Sequence, residues 1–429
     1  MTAQPVIENL ASQFAPRTAE PDWLGETRRK AIDQLQQQGL PTPRSENWKY
    51  TNLRSLHRRN FRPGLQATLA PDQLLPLSTD GYSFLNGVVH EQHPVPGLDA
   101  QLVSQALADN GDQLAGQLSA LVSYKTHPFA AMNTAFFEDA LVINVRAGQK
   151  LDRPLMLEFI SARAEEPALI CPRVLIRIEK DAHCEIIERY IGMPDAENLV
   201  SAVTEVHLAQ GASLDHYRLQ EAAPKETCSH LMVVHQGGDS RLHTHSIDLG
   251  GRLVRNDLHS WLCAPGAHAQ LSGFYMAVDS QHVDNHTRID HNAPHTTSKE
   301  DYRGVLADQA RAVFNGKVLV APDAQKVDAS QSNKNLILSG KAEIDTKPEL
   351  EIYADDVRCS HGATVGQLDE EALFYMRARG IGERTARALL TFAFAEELLA
   401  DIKIPDLREY VESRVAHRLP DHDRLGDLV

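Results

Sequence analysis

The sequence predicts a mainly β protein with a helical region at each end. Three observations predict it. From about residue 139, short segments rich in Val, Ile, Leu and Thr follow one another. A turn of the form Gly/Asp-Ala-polar-apolar recurs between them. Apolar residues at helical spacing flank this stretch on both sides. The expected organisation is a mainly helical region over 1–138, a β core over 139–366 and a helical region over 367–429.

In the N-terminal region, residues 21–38 carry Leu24, Ala31, Ile32 and Leu35 near helical spacing, then stop at Gly39 and Pro41. The segment 45–53 packs Trp48, Tyr50, Asn47 and Asn52 into nine residues, which reads as a structured turn plugged onto another surface. Residues 82–90 fit a short strand pair. Residues 98–137 read as helices, with Leu102, Leu107, Leu114, Leu118, Leu121 and Val122 as the buried stripe.

The β region opens with Ala140 to Val145. The recurring turn is Asp181-Ala182-His183-Cys184, Gly211-Ala212-Ser213-Leu214, Gly266-Ala267-His268-Ala269 and Asp323-Ala324-Gln325-Lys326, with a looser copy at Asp239-Ser240-Arg241-Leu242. Between 181 and 267 the copies fall about every 27–30 residues. Small residues at a repeated turn suit a stacked β architecture, in which each coil must fit above the last. A β-sandwich with ordinary glycine turns remains open at this point.

After Thr364 the pattern is helical again. A run with Leu373, Phe374 and Met376 breaks at Gly380. A second run from Arg384 holds Leu389, Leu390, Phe392, Phe394, Leu398 and Leu399, a face suited either to core packing or to docking another protein.

Composition excludes several classes. The net charge of −15 argues against nonspecific nucleic-acid binding. No stretch approaches 18 apolar residues, so no membrane span is expected, and residues 1–22 carry no secretory pattern. The five cysteines, Cys171, Cys184, Cys228, Cys263 and Cys359, form no Cys-x-x-Cys and no disulfide framework. This points to a reducing compartment, the cytoplasm. The first four read as buried small hydrophobes. A phosphate-cradling loop, a dinucleotide fingerprint and a nucleophile elbow are all missing from the sequence.

Two groups of residues carry candidate chemistry. Cys359 and His361 stand two apart, so on a strand they share a face and can ligate a metal or a sulfur species. Histidines form the second group. His243-Thr244-His245 could serve a cupin-like, metal-dependent enzyme. His282, His286, His291 and His295, in a polar loop-like stretch with Asp284 and Asp290, could hold iron or zinc or simply bond backbone.

Residues 347–366 read KPELEIYADDVRCSHGATVG, and 373–381 read LFYMRARGI. Together with Phe314 to Lys317, Asp323 to Lys326 and Gln331 to Leu336, they resemble the signature of the SufB/SufD family of iron–sulfur cluster assembly proteins. The resemblance is dense over 250–405, and Glu46 to Thr51 resembles the SufD branch. It implies a right-handed parallel β-helix core between helical regions. It implies a non-catalytic scaffold that pairs with SufB through the β-helices and binds the SufC ATPase through its C-terminal helices. A homodimer is open to the isolated chain, and the sequence does not decide between it and the heterodimer. Leu389, Leu390, Phe392, Phe394 and Leu398 become the expected SufC-docking face. His361 becomes a ligand shared with the partner for a transient iron–sulfur cluster, with Cys359 a weaker candidate. No cofactor is expected to be held stably by the chain alone. A β-helix carbohydrate-active enzyme is a poor rival, because aromatics are only 6%.

Overall fold

The computed structural model describes residues 4–17, 20–68, 81–110 and 114–420. Its core is a parallel β-solenoid of about eight coils built from two facing sheets. One sheet stacks β4 (Asp99–Leu102), β5 (Leu141–Val145), β8 (Arg173–Ile178), β10 (Leu199–Leu208), β12 (Thr227–Gln236), β14 (Leu253–Leu262), β16 (His282–His291), β18 (Arg311–Val320) and β20 (Glu343–Ile352), with β7 (Ala168–Ile170) and β1 (Arg62–Pro63) at its margin. The other stacks β3 (Val88–His93), β2 (Gly81–Leu85), β6 (Leu155–Ser161), β9 (His183–Gly192), β11 (Ser213–Glu221), β13 (Arg241–Asp248), β15 (His268–Ala277), β17 (Thr297–Leu306), β19 (Asp328–Ile337) and β21 (Arg358–Gly366). Every pairing from β5 and β6 onward along these stacks is parallel, which excludes the antiparallel sandwich.

The recurring turn sets the coil length. In the second sheet, Ser213 stands over His183, Arg241 over Ser213, His268 over Arg241, Thr297 over His268, Asp328 over Thr297 and Arg358 over Asp328. The turns stack as well. Backbone N–H groups of Asp181, Gly211, Asp239, Gly266, His295 and Lys326 donate to carbonyls of the next coil at 2.7–3.2 Å. All six residues have positive φ, between 55° and 76°. Asp181 and Asp239 tolerate this conformation, as Asp does more readily than most residues. Gly211 and Gly266 are required for a second reason: a Cβ on either would lie 2.1 Å from the Oδ1 of Asp181 or Asp239 in the neighbouring coil. The copy at Asp323-Ala324 is displaced. There the left-handed residue is Lys326, followed by buried Val327, so the stacking turn lies three residues later than the sequence pattern placed it.

Alternate strand residues point into the solenoid. Cys184, Ile186, Leu214, Leu242, Leu271, Val283 and Phe314 fill it, as do polar groups including Glu188, His216, Arg218, Asp248, Glu300 and Asn333. This mixed interior explains why 282–295 read as a loop. The stretch is instead strand β16 plus a turn. His282, Asp284 and His286 face outward while His291 faces inward, so the four histidines do not converge.

The N-terminal residues cover the outside of the first sheet. The helices are α1 (Pro5–Gln13), α2 (Asp22–Gln38), α3 (Arg54–His57), α4 (Val103–Asn110) and α5 (Pro128–Phe136). The expected aromatic plug is there. Trp48 is buried, stacks on Phe129 at 5.6 Å and lies under the Arg255 guanidinium at 4.3 Å. Arg255 also binds Asp257 and Asp284 and donates to the carbonyl of Asn47, so this plug is tied to β14 and β16. The stretch 98–137 is less helical than its periodicity suggests. Leu102 ends strand β4, Leu114 lies buried in a 3-10 turn, and Leu118 and Val122 lie buried in non-helical backbone. Those turns are held by one carboxylate. Glu205 on β10 accepts from the N–H groups of Ser119, Leu121 and Val122 and pairs with buried Arg173. No local sequence pattern reveals a long-range anchor of this kind.

The C-terminal helices α6 (Glu370–Ala378), α7 (Glu383–Leu399) and α8 (Pro405–Ala416) cover the outer face of the second sheet. The expected docking face divides into covered and partly open residues. Phe392 and Leu398 are buried, and Leu389, Leu390 and Phe394 are partly buried, in a cluster with Phe274, Met276 and Val305. Phe392 and Leu398 are covered within the chain, while Leu389, Leu390 and Phe394 keep part of their apolar surface open. Phe374 on α6 is 73% exposed and Tyr375 60% exposed.

Candidate functional site

The two ends of the solenoid differ. At the start, β3 pairs antiparallel with β2, and β4 with β5, so short antiparallel strands cap both sheets. At the far end, β20 pairs with β18 and β21 with β19, and no strand among the described residues lies beyond either. An unpaired edge is a row of free N–H and C=O groups, ready to pair with another chain. The two edges are not alike. β20 carries Pro348, which cannot donate, and outward-facing Asp345, Lys347, Glu349 and Glu351, features that discourage strand addition. β21 has no proline and its only charged side chain, with histidine neutral, is Arg358.

Cys359 and His361 lie on β21 and share its inward face. Cys359 stands beside Ala329 and His361 beside Gln331, both buried lumen residues. With no coil beyond, that face opens at the mouth of the lumen. His361 is exposed there and Cys359 is half-buried against the core. Burial, with the nearby Asp328 charge, pushes the Cys359 thiol above its ordinary pKa. Exposed Val365, from β21, and Ile352 and Tyr353, at the end of β20, add apolar surface around the same mouth. Behind His361, Gln331 donates to the Glu300 carboxylate at 2.6 Å. A row of imidazole, amide and carboxyl therefore runs inward from the mouth.

Burial drives Glu300 up to about 7, against the hydrogen bond from Gln331. A carboxyl with a raised native pKa adds stability below the unfolded value, near 4.3, and loses it as pH climbs through 7. Glu300→Gln is therefore expected to gain stability relative to the parent between pH 5 and 8, by roughly 2 kcal/mol. Urea midpoints of both proteins across that range check this; a constant difference would contradict it.

The other sequence candidates sit elsewhere. His243 and His245 are on β13, on the outer face under the C-terminal helices. His243 bonds Asp215 at 3.0 Å, and His245 is buried and stacked on Tyr217 at 5.4 Å. A parallel solenoid is not the antiparallel jelly roll of a cupin, so the cupin-like reading falls. Cys171, Cys184 and Cys228 are buried, and burial pushes each thiol upward. Cys263 is exposed, contrary to expectation, because it begins a loop just after the last residue of β14. Sequence reasoning singled out Cys359 and His361 but not Val365, Ile352 and Gln331, whose placement at the mouth depends on which coil comes last.

Two family models account for most of the chain. The model described as "SUF system FeS cluster assembly, SufBD core domain" matches residues 159–394, and "SufBD protein N-terminal region" matches 15–157. The chain is 32% identical over 397 residues to the iron–sulfur cluster assembly protein SufD of Escherichia coli, covering 91% of this chain and 92% of that one. It is 31% identical to a SufBD family protein of Synechocystis, covering 96% and 95%, and 23% identical to SufD of Bacillus subtilis, covering 96% and 98%. With an uncapped parallel solenoid, a Cys-Ser-His-Gly edge strand and these matches over nearly its whole length, the chain belongs to the SufB/SufD family of iron–sulfur cluster assembly proteins.

Proposed function

We propose that this chain is a non-catalytic scaffold subunit, working in the cytoplasm, that pairs through its open solenoid end with SufB. The single observation that carries this is the unprotected β21 edge, flanked by exposed Val365, Ile352 and Tyr353. A partner strand added there would satisfy the free backbone groups and cover the apolar rim. It would also enclose His361 between two chains. His361 then supplies one imidazole to a nascent cluster whose remaining ligands come from the partner, while Cys359 stays a neighbouring thiol. The cluster is cargo, passed on to other proteins, and the chain alone holds no cluster stably.

The exposed Phe374 and Tyr375 of α6 are the apolar groups we assign to SufC docking, together with the partly exposed Leu389, Leu390 and Phe394 of α7. ATP hydrolysis then belongs to that partner, in keeping with a sequence that lacks a phosphate-cradling loop. The pairing is tested by amide hydrogen exchange of the chain with and without SufB. Residues 358–366 are expected to gain about tenfold or more protection on mixing. Unchanged exchange in β21, with protection elsewhere, would move the interface. A second copy of this chain protecting the same strand would show that isolated chains use the edge for a homodimer.

A further inference from the structure

A second group of metal-ligating side chains lies on the outer face of the solenoid, away from the mouth. His183 and Glu185 stand two apart on β9, and Asp215 on β11 is the register neighbour of Glu185. One ligand atom from each of the three lies within 4.8 Å of the others. The surroundings resemble a supported metal site. Ser213 Oγ holds His183 Nδ1 at 2.9 Å, and His243 Nδ1 holds Asp215 Oδ1 at 3.0 Å. Lys403 Nζ also reaches Asp215 Oδ1, at 2.7 Å. Both contacts fall on one oxygen, which leaves Oδ2 to face a ligand. The buried Nε2 of His243 has no hydrogen-bond partner.

Two carboxylates on neighbouring strands and one face repel each other unless a cation intervenes. Lys403 supplies one positive charge, and it comes from the segment joining α7 to α8 rather than from the sheet. Imidazole with two carboxylates suits a borderline first-row divalent ion better than a hard ion that prefers oxygen alone. Bonds of about 2.1 Å would bring tetrahedral ligand atoms to roughly 3.4 Å apart. His183 and Glu185 are both half-buried, so small side-chain rotations close that gap without moving backbone.

We propose that His183, Glu185 and Asp215 form a binding site for one zinc-class divalent transition metal, with Ser213 and His243 orienting the ligands. The site is separate from the open end, so it stands or falls independently of the pairing reading. Calorimetric titration of the chelator-stripped full chain with Zn2+ alone tests it. One equivalent is expected to bind, with Mg2+ failing to compete, and Co2+ should give the visible absorption of a low-coordinate site. Glu185→Gln and His183→Gln should each weaken that equivalent about tenfold or more. Ser213→Ala should weaken it less. Melting curves in chelator, expected to match the parent, confirm that the variants fold. No stoichiometric zinc, or zinc retained equally in both ligand variants, would overturn the proposal and assign any binding to other histidines and cysteines.

Discussion

Val365→Asp is expected to weaken partner binding by about 30-fold or more while leaving the chain folded. Val365 is 49% exposed and lies on the inward face of the last strand, at the lumen mouth. In the free chain an aspartate there is solvated, so the stability change should stay within about 0.5 kcal/mol. In a complex that covers the mouth, the same carboxylate would be buried against the partner's apolar surface without a counter-charge. A loss of about 2 kcal/mol or more at the centre of an interface corresponds to that 30-fold change. Surface plasmon resonance against immobilised SufB measures it. Val365→Thr, which keeps the shape and adds no charge, should retain most of the affinity. Equal affinity for the aspartate variant would place the contact elsewhere.

Glu205→Ala is expected to destabilise the fold by about 3–5 kcal/mol. Glu205 and Arg173 are both inaccessible, at 0% and 1% side-chain exposure. Losing the carboxylate strands the guanidinium in the interior. It also frees three backbone N–H groups, those of Ser119, Leu121 and Val122, which Glu205 now satisfies. The segment 114–126 would then lose its anchor to β10. Arg173 keeps Asn133 Oδ1 at 3.1 Å and Ser119 Oγ at 3.0 Å, so some of its hydrogen bonding survives. Glu205→Gln, which preserves shape and some acceptor capacity, should cost less. Chemical denaturation of the three proteins orders these effects; equal stability of Glu205→Ala and parent would show that the segment is held by packing alone.

The solenoid was legible because its constraint is local and repeated. Each coil must turn through a left-handed residue and then bury a small one, and Asp181-Ala182, Gly211-Ala212 and Gly266-Ala267 carry that signature at coil spacing. Trp48 was legible for a similar reason: aromatics crowded into a turn need a surface to bury them. Features decided by distant contacts were less legible. The Phe-rich face of α7 looks the same in sequence whether it packs on Phe274 and Met276 or on a partner. Polar lumen residues such as Asn285 and Thr287 imitate a loop, because the parallel sheet hides them from solvent only once both sheets are in place. His361 stood out within a distinctive motif. That it lies on the last coil, and so reaches solvent from an inward position, follows from the fold rather than from the motif.

The most direct test of a shared site at the open end is anaerobic cluster reconstitution on the purified complex of this chain with SufB and SufC, comparing the parent with His361→Ala. His361 is exposed and takes no part in the core, so the complex should assemble unchanged by mass. Iron and acid-labile sulfide per complex should fall about tenfold or more, as expected when a ligand to a metal centre is removed. Full cluster content on an intact complex lacking this imidazole would contradict the account.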